Sequence, residues 1–164
     1  MITMGIDPGI TNLGWAILDD GKYVCSGCCH FAKDQVDGYR LQLIYELLRG
    51  LHIKQKTRFT TLGIERCVAG GSRKKQWTPP PSIVFDVGRV TGVVEEWCYE
   101  NGVTMLPVSA GTMKKHATGD GRADKKAIIA VAEQIKGDKI LVKDSHEADA
   151  ICIAAWAETQ AEGK

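Results

Sequence analysis

No apolar run in the 164-residue sequence approaches the roughly 20 residues that a membrane-spanning helix needs. The opening Met1-Ile2-Thr3-Met4-Gly5-Ile6-Asp7 lacks a basic stretch before its apolar part and carries an acid at position 7, so it does not read as a signal peptide. Six cysteines, at positions 25, 28, 29, 67, 98 and 152, are too few for a disulfide scaffold in a chain this long. Most lie among apolar neighbours, where a free thiol acts as a small hydrophobe, and a reduced, cytoplasmic protein is expected. Cys25 and Cys28 form a Cys-x-x-Cys pair, but no second pair follows and His30 is the only imidazole nearby. A structural zinc site wants four ligands, so the pair is read as buried strand cysteines. The sequence also lacks internal repeats and dividing linkers, and its length suits one domain over 1–164. Hydrophobic residues are 44% and charged residues 25%, which excludes a disordered or fibrous chain. An excess of one charge sign is missing too. Lys plus Arg number 21 and Asp plus Glu 20, a net of +1, which at first sight argues against a nucleic-acid partner.

What is present is ordered by period. Ile2–Asp7 is a short apolar strand ending in a turn signal, Asp7-Pro8-Gly9. Leu13–Leu18 and Lys22–Phe31 follow as strands joined through Asp19-Asp20-Gly21, a hairpin turn, which makes an antiparallel meander. Leu41, Ile44, Leu47, Leu48 and Leu51 recur at helical spacing over residues 38–51. Arg58–Glu65 reads as a strand, residues 69–81 as a loop, and Ile83, Val87, Val90, Val94 and Trp97 as the stripe of a second helix. A fifth strand, Val103–Val108, precedes helices near 109–117, 123–136 and 145–160. Strand–helix–strand steps cross over right-handedly and give parallel neighbours. The expected fold is α/β: a mixed five-stranded sheet, three strands antiparallel and then two parallel, flanked by helices.

The acids at strand ends carry the chemistry. Asp7 ends the first strand and Glu65 the fourth. If those strands are adjacent and parallel, both carboxylates emerge at one edge, where two buried acids repel unless a cation joins them. Oxygen donors in such a place favour Mg²⁺ or Mn²⁺. The plainer alternative is two strand-end acids paired with lysines. Asp149 is the only charge between Ala148 and Ala157, so it needs a partner or a metal, and His146 lies three residues earlier on the same helical face. Asp144 and Glu147 have capping-box spacing and are read as helix caps, with entry into a metal shell as the alternative.

At this point the residues resemble a known family. Gly5-Ile6-Asp7-Pro8-Gly9-Ile10-Thr11-Asn12-Leu13-Gly14-Trp15, then Gly63-Ile64-Glu65, then Lys114 followed by Thr118-Gly119-Asp120-Gly121-Arg122-Ala123-Asp124-Lys125, then His146-Glu147-Ala148-Asp149-Ala150 are similar to the RuvC family of Holliday junction resolvases. The first block alone is weak; four blocks in order across nearly the whole chain are specific. The resemblance implies a ribonuclease H-like fold and a homodimer that nicks opposing strands of four-way DNA junctions with Mg²⁺ or Mn²⁺, leaving 5′ phosphate and 3′ hydroxyl ends. It implies a catalytic and metal-binding quartet of Asp7, Glu65, His146 and Asp149. Many members carry an acid where His146 stands, so its role is either a loose ligand or a proton carrier. Two divalent ions roughly 3.5–4 Å apart would activate a water and stabilise the leaving oxygen, with no small-molecule cofactor. By the same resemblance Lys114 and Lys125 contact DNA.

The net charge then resolves by segment. Residues 54–75 carry seven basic side chains against Glu65 alone, and residues 112–126 carry five against two, leaving −8 on the rest. Phosphate contacts need such a basic face rather than a basic total. Arg73, Lys74 and Lys75 sit in the 69–81 loop, which makes the stretch from Glu65 to Gly88 some eight residues longer than is usual for the family. Val68 stands where some members have a base-stacking aromatic, and Trp77 is read as its substitute, the alternative being a Trp packed under its own loop. Gly119-Asp120-Gly121 reads either as a phosphate-holding turn or as a plain turn between helices. Gly88-x-x-x-Gly92 permits close helix approach, and the resemblance places that helix in a two-fold interface. Three rivals stand beside this reading. A nuclease of the same fold could act on RNA or other branched DNA. A junction-binding protein without catalysis is disfavoured by the filled quartet. An actin-like ATPase lobe would need a second Asp-x-Gly loop and a second lobe that this chain lacks.

Overall fold

The computed structural model describes residues 1–32, 34–54, 58–66, 80–137, 141–142 and 144–163. Strands β1 (Ile2–Asp7), β2 (Asn12–Asp19) and β3 (Lys22–His30) form the expected meander. Helix α1 (Asp37–Lys54) leads to β4 (Thr61–Glu65), and α2 (Pro81–Asn101) leads to β5 (Thr104–Val108). Helices α3 (Ala110–Thr118), α4 (Lys125–Lys136) and α5 (Ser145–Glu162) complete the chain. The sheet order is β3-β2-β1-β4-β5, with β4 parallel to both β1 and β5. This is the mixed sheet expected from the element order. Among the described residues no helix is long and apolar enough to cross a membrane.

Local chemistry fixes the elements. Asp20 (φ 47°) and Gly21 (φ 72°) both take positive φ between the paired Asp19 and Lys22, as a two-residue hairpin turn with matching twist requires. Helix α2 starts with Pro81 in its first turn and ends at Gly102 in the left-handed conformation. Ser109, Asp124 and Asp144 cap α3, α4 and α5, each side chain accepting a backbone N–H of the first turn.

Strand alternation sorts the residues into two cores. Ile2, Met4 and Ile6 of β1 and Leu62 and Ile64 of β4 face α1 and α2, where they pack with Ile44, Leu48, Val90, Val94 and Trp97. The alternate positions, Thr3, Gly5 and Asp7 on β1 and Thr61, Gly63 and Glu65 on β4, therefore face α5. That second face is covered by a helix of small residues, including Ala148, Ala150, Cys152, Ala154 and Ala157, all buried.

Three glycines let α5 lie directly on the sheet. A Cβ at Gly5 would land on the Ala150 carbonyl, and one at Gly14 on the His146 carbonyl. A Cβ at Gly63 would stand 2.8 Å from Ala157 Cβ and 2.9 Å from Ile153 Cγ2. Gly5 and Gly63 are register partners across β1 and β4, so α5 runs over a glycine groove.

Several expectations need correction. Strand β4 begins at Thr61, not Arg58: Phe59 instead turns into an aromatic cluster with His52 and Trp97. The strand cysteines 25, 28 and 29 are half-buried; only Cys98 and Cys152 are buried among the described cysteines. Among the described residues a Cβ at Gly88 or Gly92 would meet nothing within 4 Å. The 69–81 loop with Arg73, Lys74, Lys75 and Trp77, together with Val68, lies outside the described residues apart from Pro80 and Pro81.

Candidate active site

The quartet expected from the sequence assembles on the α5 side of the sheet. Asp7 ends β1 and Glu65 ends β4, one step beyond the last paired register, Ile6 with Ile64. Parallel neighbours with alternating side chains thus deliver both carboxylates to the same edge and face. His146 and Asp149 come from the first turns of α5, whose placement over Gly14 and Gly5 sets their height above the strand ends.

His146 Nδ1 lies 2.6 Å from Asp7 Oδ2, a charge-assisted hydrogen bond. That bond raises the His146 pKa above its usual value against an opposing effect of burial. Burial, with the Asp7 and Asp149 charges, pushes Glu65 up to about 8. Burial and Asp7 push Asp149 up to about 6. Lys114 and His146 pull both back, and Lys125 adds to the pull on Asp149. Glu65 and Asp149 therefore resist ionisation beside the Asp7 charge, and a divalent cation is the group that relieves them. The donor set of hard carboxylate oxygens from Asp7, Glu65 and Asp149 fits Mg²⁺ or Mn²⁺.

The same shifts set a stability test. In metal-free protein, a carboxyl whose folded pKa exceeds its unfolded value binds extra protons in the folded state, so stability falls as pH rises between the two values. For Glu65 that window runs from about 4.5 to about 8. Glu65→Gln removes the penalty. In chelator at pH 8 it should be more stable than the parent by on the order of 2 kcal/mol, with the gap closing near pH 4.5. Thermal unfolding at the two pH values checks this; a Gln variant less stable at pH 8 would contradict it.

The two expected lysines flank the carboxylates. Lys114 Nζ donates to the Ala123 carbonyl at 3.0 Å, tying α3 to the turn before α4, and Lys125 opens α4 in an exposed position. The intervening turn is ordered by its own bonds: Gly119 is left-handed (φ 81°), and Asp120 Oδ1 accepts from Arg122 N at 2.9 Å. Arg73, Lys74, Lys75 and Trp77 lie outside the described residues.

The cap assignment is half right. Asp144 Oδ1 accepts from His146 N at 2.7 Å. Glu147 does not close a capping box; its Oε1 accepts from Lys136 Nζ at 2.8 Å and from Ser26 Oγ at 2.5 Å. It clamps the start of α5 to α4 and β3. Sequence reading missed this because neither partner is local to α5.

Comparison with known proteins identifies the family. The family model described as crossover junction endodeoxyribonuclease RuvC matches residues 3–156. Similar curated proteins carry the same name: one from Rickettsia akari is 27% identical over 94% of this chain and 94% of its own length. Another, from Gloeobacter violaceus, is 28% identical over 94% of this chain and 86% of its own. In fold, the chain is similar to Thermus thermophilus RuvC in two solved structures, one of the protein (TM-score 0.78, 23% identity, 99% of this chain and 96% of that one) and one in complex with Holliday junction substrate (TM-score 0.81, 22% identity, the same coverage). With a family match across nearly its whole length, the chain belongs to the RuvC family, the crossover junction endodeoxyribonucleases.

Proposed function

We propose that this chain resolves four-way DNA junctions by metal-dependent hydrolysis of phosphodiester bonds, as a homodimer that nicks two opposing strands. The observation that carries the reading is the convergence of Asp7, Glu65 and Asp149 beside Lys114 and Lys125, in a chain of this family. Asp7, Glu65 and Asp149 would hold the cations, two per site. Mg²⁺ or Mn²⁺ there supplies charge neutralisation at the phosphate and a more acidic attacking water.

The chain's own residues do the rest. His146 holds a proton at Nδ1 against Asp7 and sits at the mouth of the cleft, with 38% of its side chain exposed. Imidazole is a poor partner for Mg²⁺, which favours the proton-carrier role over the ligand role. Lys114 and Lys125 offset the carboxylate charge and draw the phosphate backbone toward it. The products are a 5′ phosphate and a 3′ hydroxyl.

The dimer reading is supported by the outer face of α2. Phe85 is exposed there by 66%, and among the described residues a Cβ at Gly88 or Gly92, on the same face, would meet nothing within 4 Å. A second copy seated on it would let one assembly reach two strands. Sedimentation should give a dimer, and a strict monomer would contradict paired nicking. Trp77, with Arg73, Lys74 and Lys75, is proposed to stack on an unpaired base at the junction. Trp77→Ala should then weaken junction binding by roughly 1–3 kcal/mol, measured by titration of a labelled junction. Unchanged affinity and cleavage would remove Trp77 from the interface.

The direct test is cleavage of labelled four-way, three-way and duplex DNA by chelator-treated enzyme. Cleavage of the four-way junction should appear only on adding Mg²⁺ or Mn²⁺. Equal cleavage of flaps, other branched DNA or RNA would favour the broader nuclease reading.

A further inference from the structure

A second set of metal-ligating side chains lies outside the carboxylate quartet. Ligand atoms of Cys28, His30 and Asp144 all stand within 4.8 Å of one another. The fold explains how they meet. Cys25 and Cys28 are three residues apart on a strand, so their side chains leave opposite faces, and Cys-x-x-Cys cannot close on one ion here. Cys25 and Cys29 pack against the α1/α2 core. Cys28 and His30, two apart, share the other face. Their register partners are Gly14 and Asn12. Gly14 is the position where α5 touches the sheet, and this contact brings Asp144, at the N-terminus of α5, over the pair.

The bonds around the three side chains are those of a ligand shell. His30 Nδ1 lies 2.9 Å from Asn12 Oδ1, and the tautomer that donates to this oxygen turns the Nε2 lone pair the other way. Nε2 then faces Asp144 Oδ2 at 3.3 Å. In neutral imidazole this sets a lone pair against a carboxylate oxygen, an arrangement that needs a cation between them or a proton on the ring. Metal-bound histidines are fixed in this way, with the far ring N–H held by an oxygen acceptor. Asp144 uses Oδ1 for the helix cap and keeps Oδ2 for the cluster. His30 has 63% of its side chain exposed, which gives an ion a path from solvent.

We propose that Cys28 Sγ, His30 Nε2 and Asp144 Oδ2 bind a thiophilic divalent cation, Zn²⁺ by donor type, at a site separate from the catalytic carboxylates. Sulfur, nitrogen and oxygen from three residues suit tetrahedral Zn²⁺ with one position left to water, and not Mg²⁺. Binding replaces the thiol proton, which is released to solvent, by the metal. Burial and Asp144 keep that proton on Cys28, so uptake strengthens as pH rises. The bound ion joins β3 to the first turn of α5, two residues before His146.

The test uses reduced, chelator-treated full-length protein titrated with Co²⁺. A thiolate-to-cobalt charge-transfer band should grow to one equivalent and bleach when Zn²⁺ is added. His30→Ala and Cys28→Ser should abolish the band, and Asn12→Ala should weaken binding by roughly 10–100-fold. Asp7→Asn and Cys25→Ser should keep it, which separates this site from the catalytic centre and from the other strand thiols. Zn²⁺ should also raise the melting temperature of the parent more than that of His30→Ala, a substitution at an exposed side chain that leaves the core and the catalytic carboxylates intact. Absence of the band in the parent, or its survival in Cys28→Ser, would overturn the proposal and leave His30 and Asp144 as an ion pair.

Discussion

Asp7→Asn should bind four-way junctions with near-parental affinity and cut them at least about 10³-fold more slowly, because a missing carboxylate ligand forfeits several kcal/mol of charge stabilisation. Asp7 is where the site's interactions meet. It holds His146 through the 2.6 Å bond, and its charge acts on both Glu65 and Asp149. The substitution is isosteric, and Asp7 contributes little to either core, so the fold should persist. DNA affinity rests on basic side chains elsewhere and should be retained. Single-turnover cleavage and a binding titration on the same preparation check both halves. Full cleavage with Mg²⁺ would remove Asp7 from the metal site; loss of binding with loss of fold would show a structural role instead.

Gly14→Ala should reduce cleavage by about 10²-fold without touching a catalytic group, since misplacing a reacting group by about 1 Å has that effect. The added methyl falls on the His146 carbonyl, a backbone atom in the first turn of α5 that cannot rotate away. The helix start must lift, taking His146 from Asp7. Overpacking of this kind also destabilises by roughly 1–3 kcal/mol. Gly50→Ala is the matched control, because a Cβ at Gly50 meets nothing within 4 Å among the described residues. Cleavage rates and melting temperatures of the two variants should diverge. Parental cleavage by Gly14→Ala would mean that the seat of α5 does not set the catalytic geometry.

These two residues mark what was legible in the sequence. Asp7 and Glu65 could be found because alternation is local: an apolar strand with an acid at its last position announces which face that acid takes, and element order makes the two strands parallel neighbours. Asp149 was legible as the lone charge in an apolar helix. Gly14 was not, because its reason is a helix more than 130 residues further on. Glu147 was read as a local cap because Asp-x-x-Glu spacing is visible in one dimension, whereas Lys136 and Ser26 reach it only in three. The cysteine pair failed in the same way. Spacing of three suggested a chelating pair to be weighed and set aside, while the strand makes spacing of two, Cys28 and His30, the pair that shares a face. Gly88 and Gly92 read as a surface for close approach, and among the described residues nothing lies within 4 Å of a Cβ at either.

The +1 net charge conceals the arrangement on which the proposed function depends. Acids spread over the chain balance two basic stretches, and the lysines of one of them, Lys114 and Lys125, act on the buried carboxylates. The measurement that bears most directly on this account is the mapping of cut positions and end groups on a four-way junction labelled on each strand in turn. Two symmetric nicks on opposing strands, with 5′ phosphate and 3′ hydroxyl ends and dependent on Mg²⁺ or Mn²⁺, are predicted. Single scattered nicks, equal cutting of duplex DNA, or cleavage that persists in chelator would contradict it.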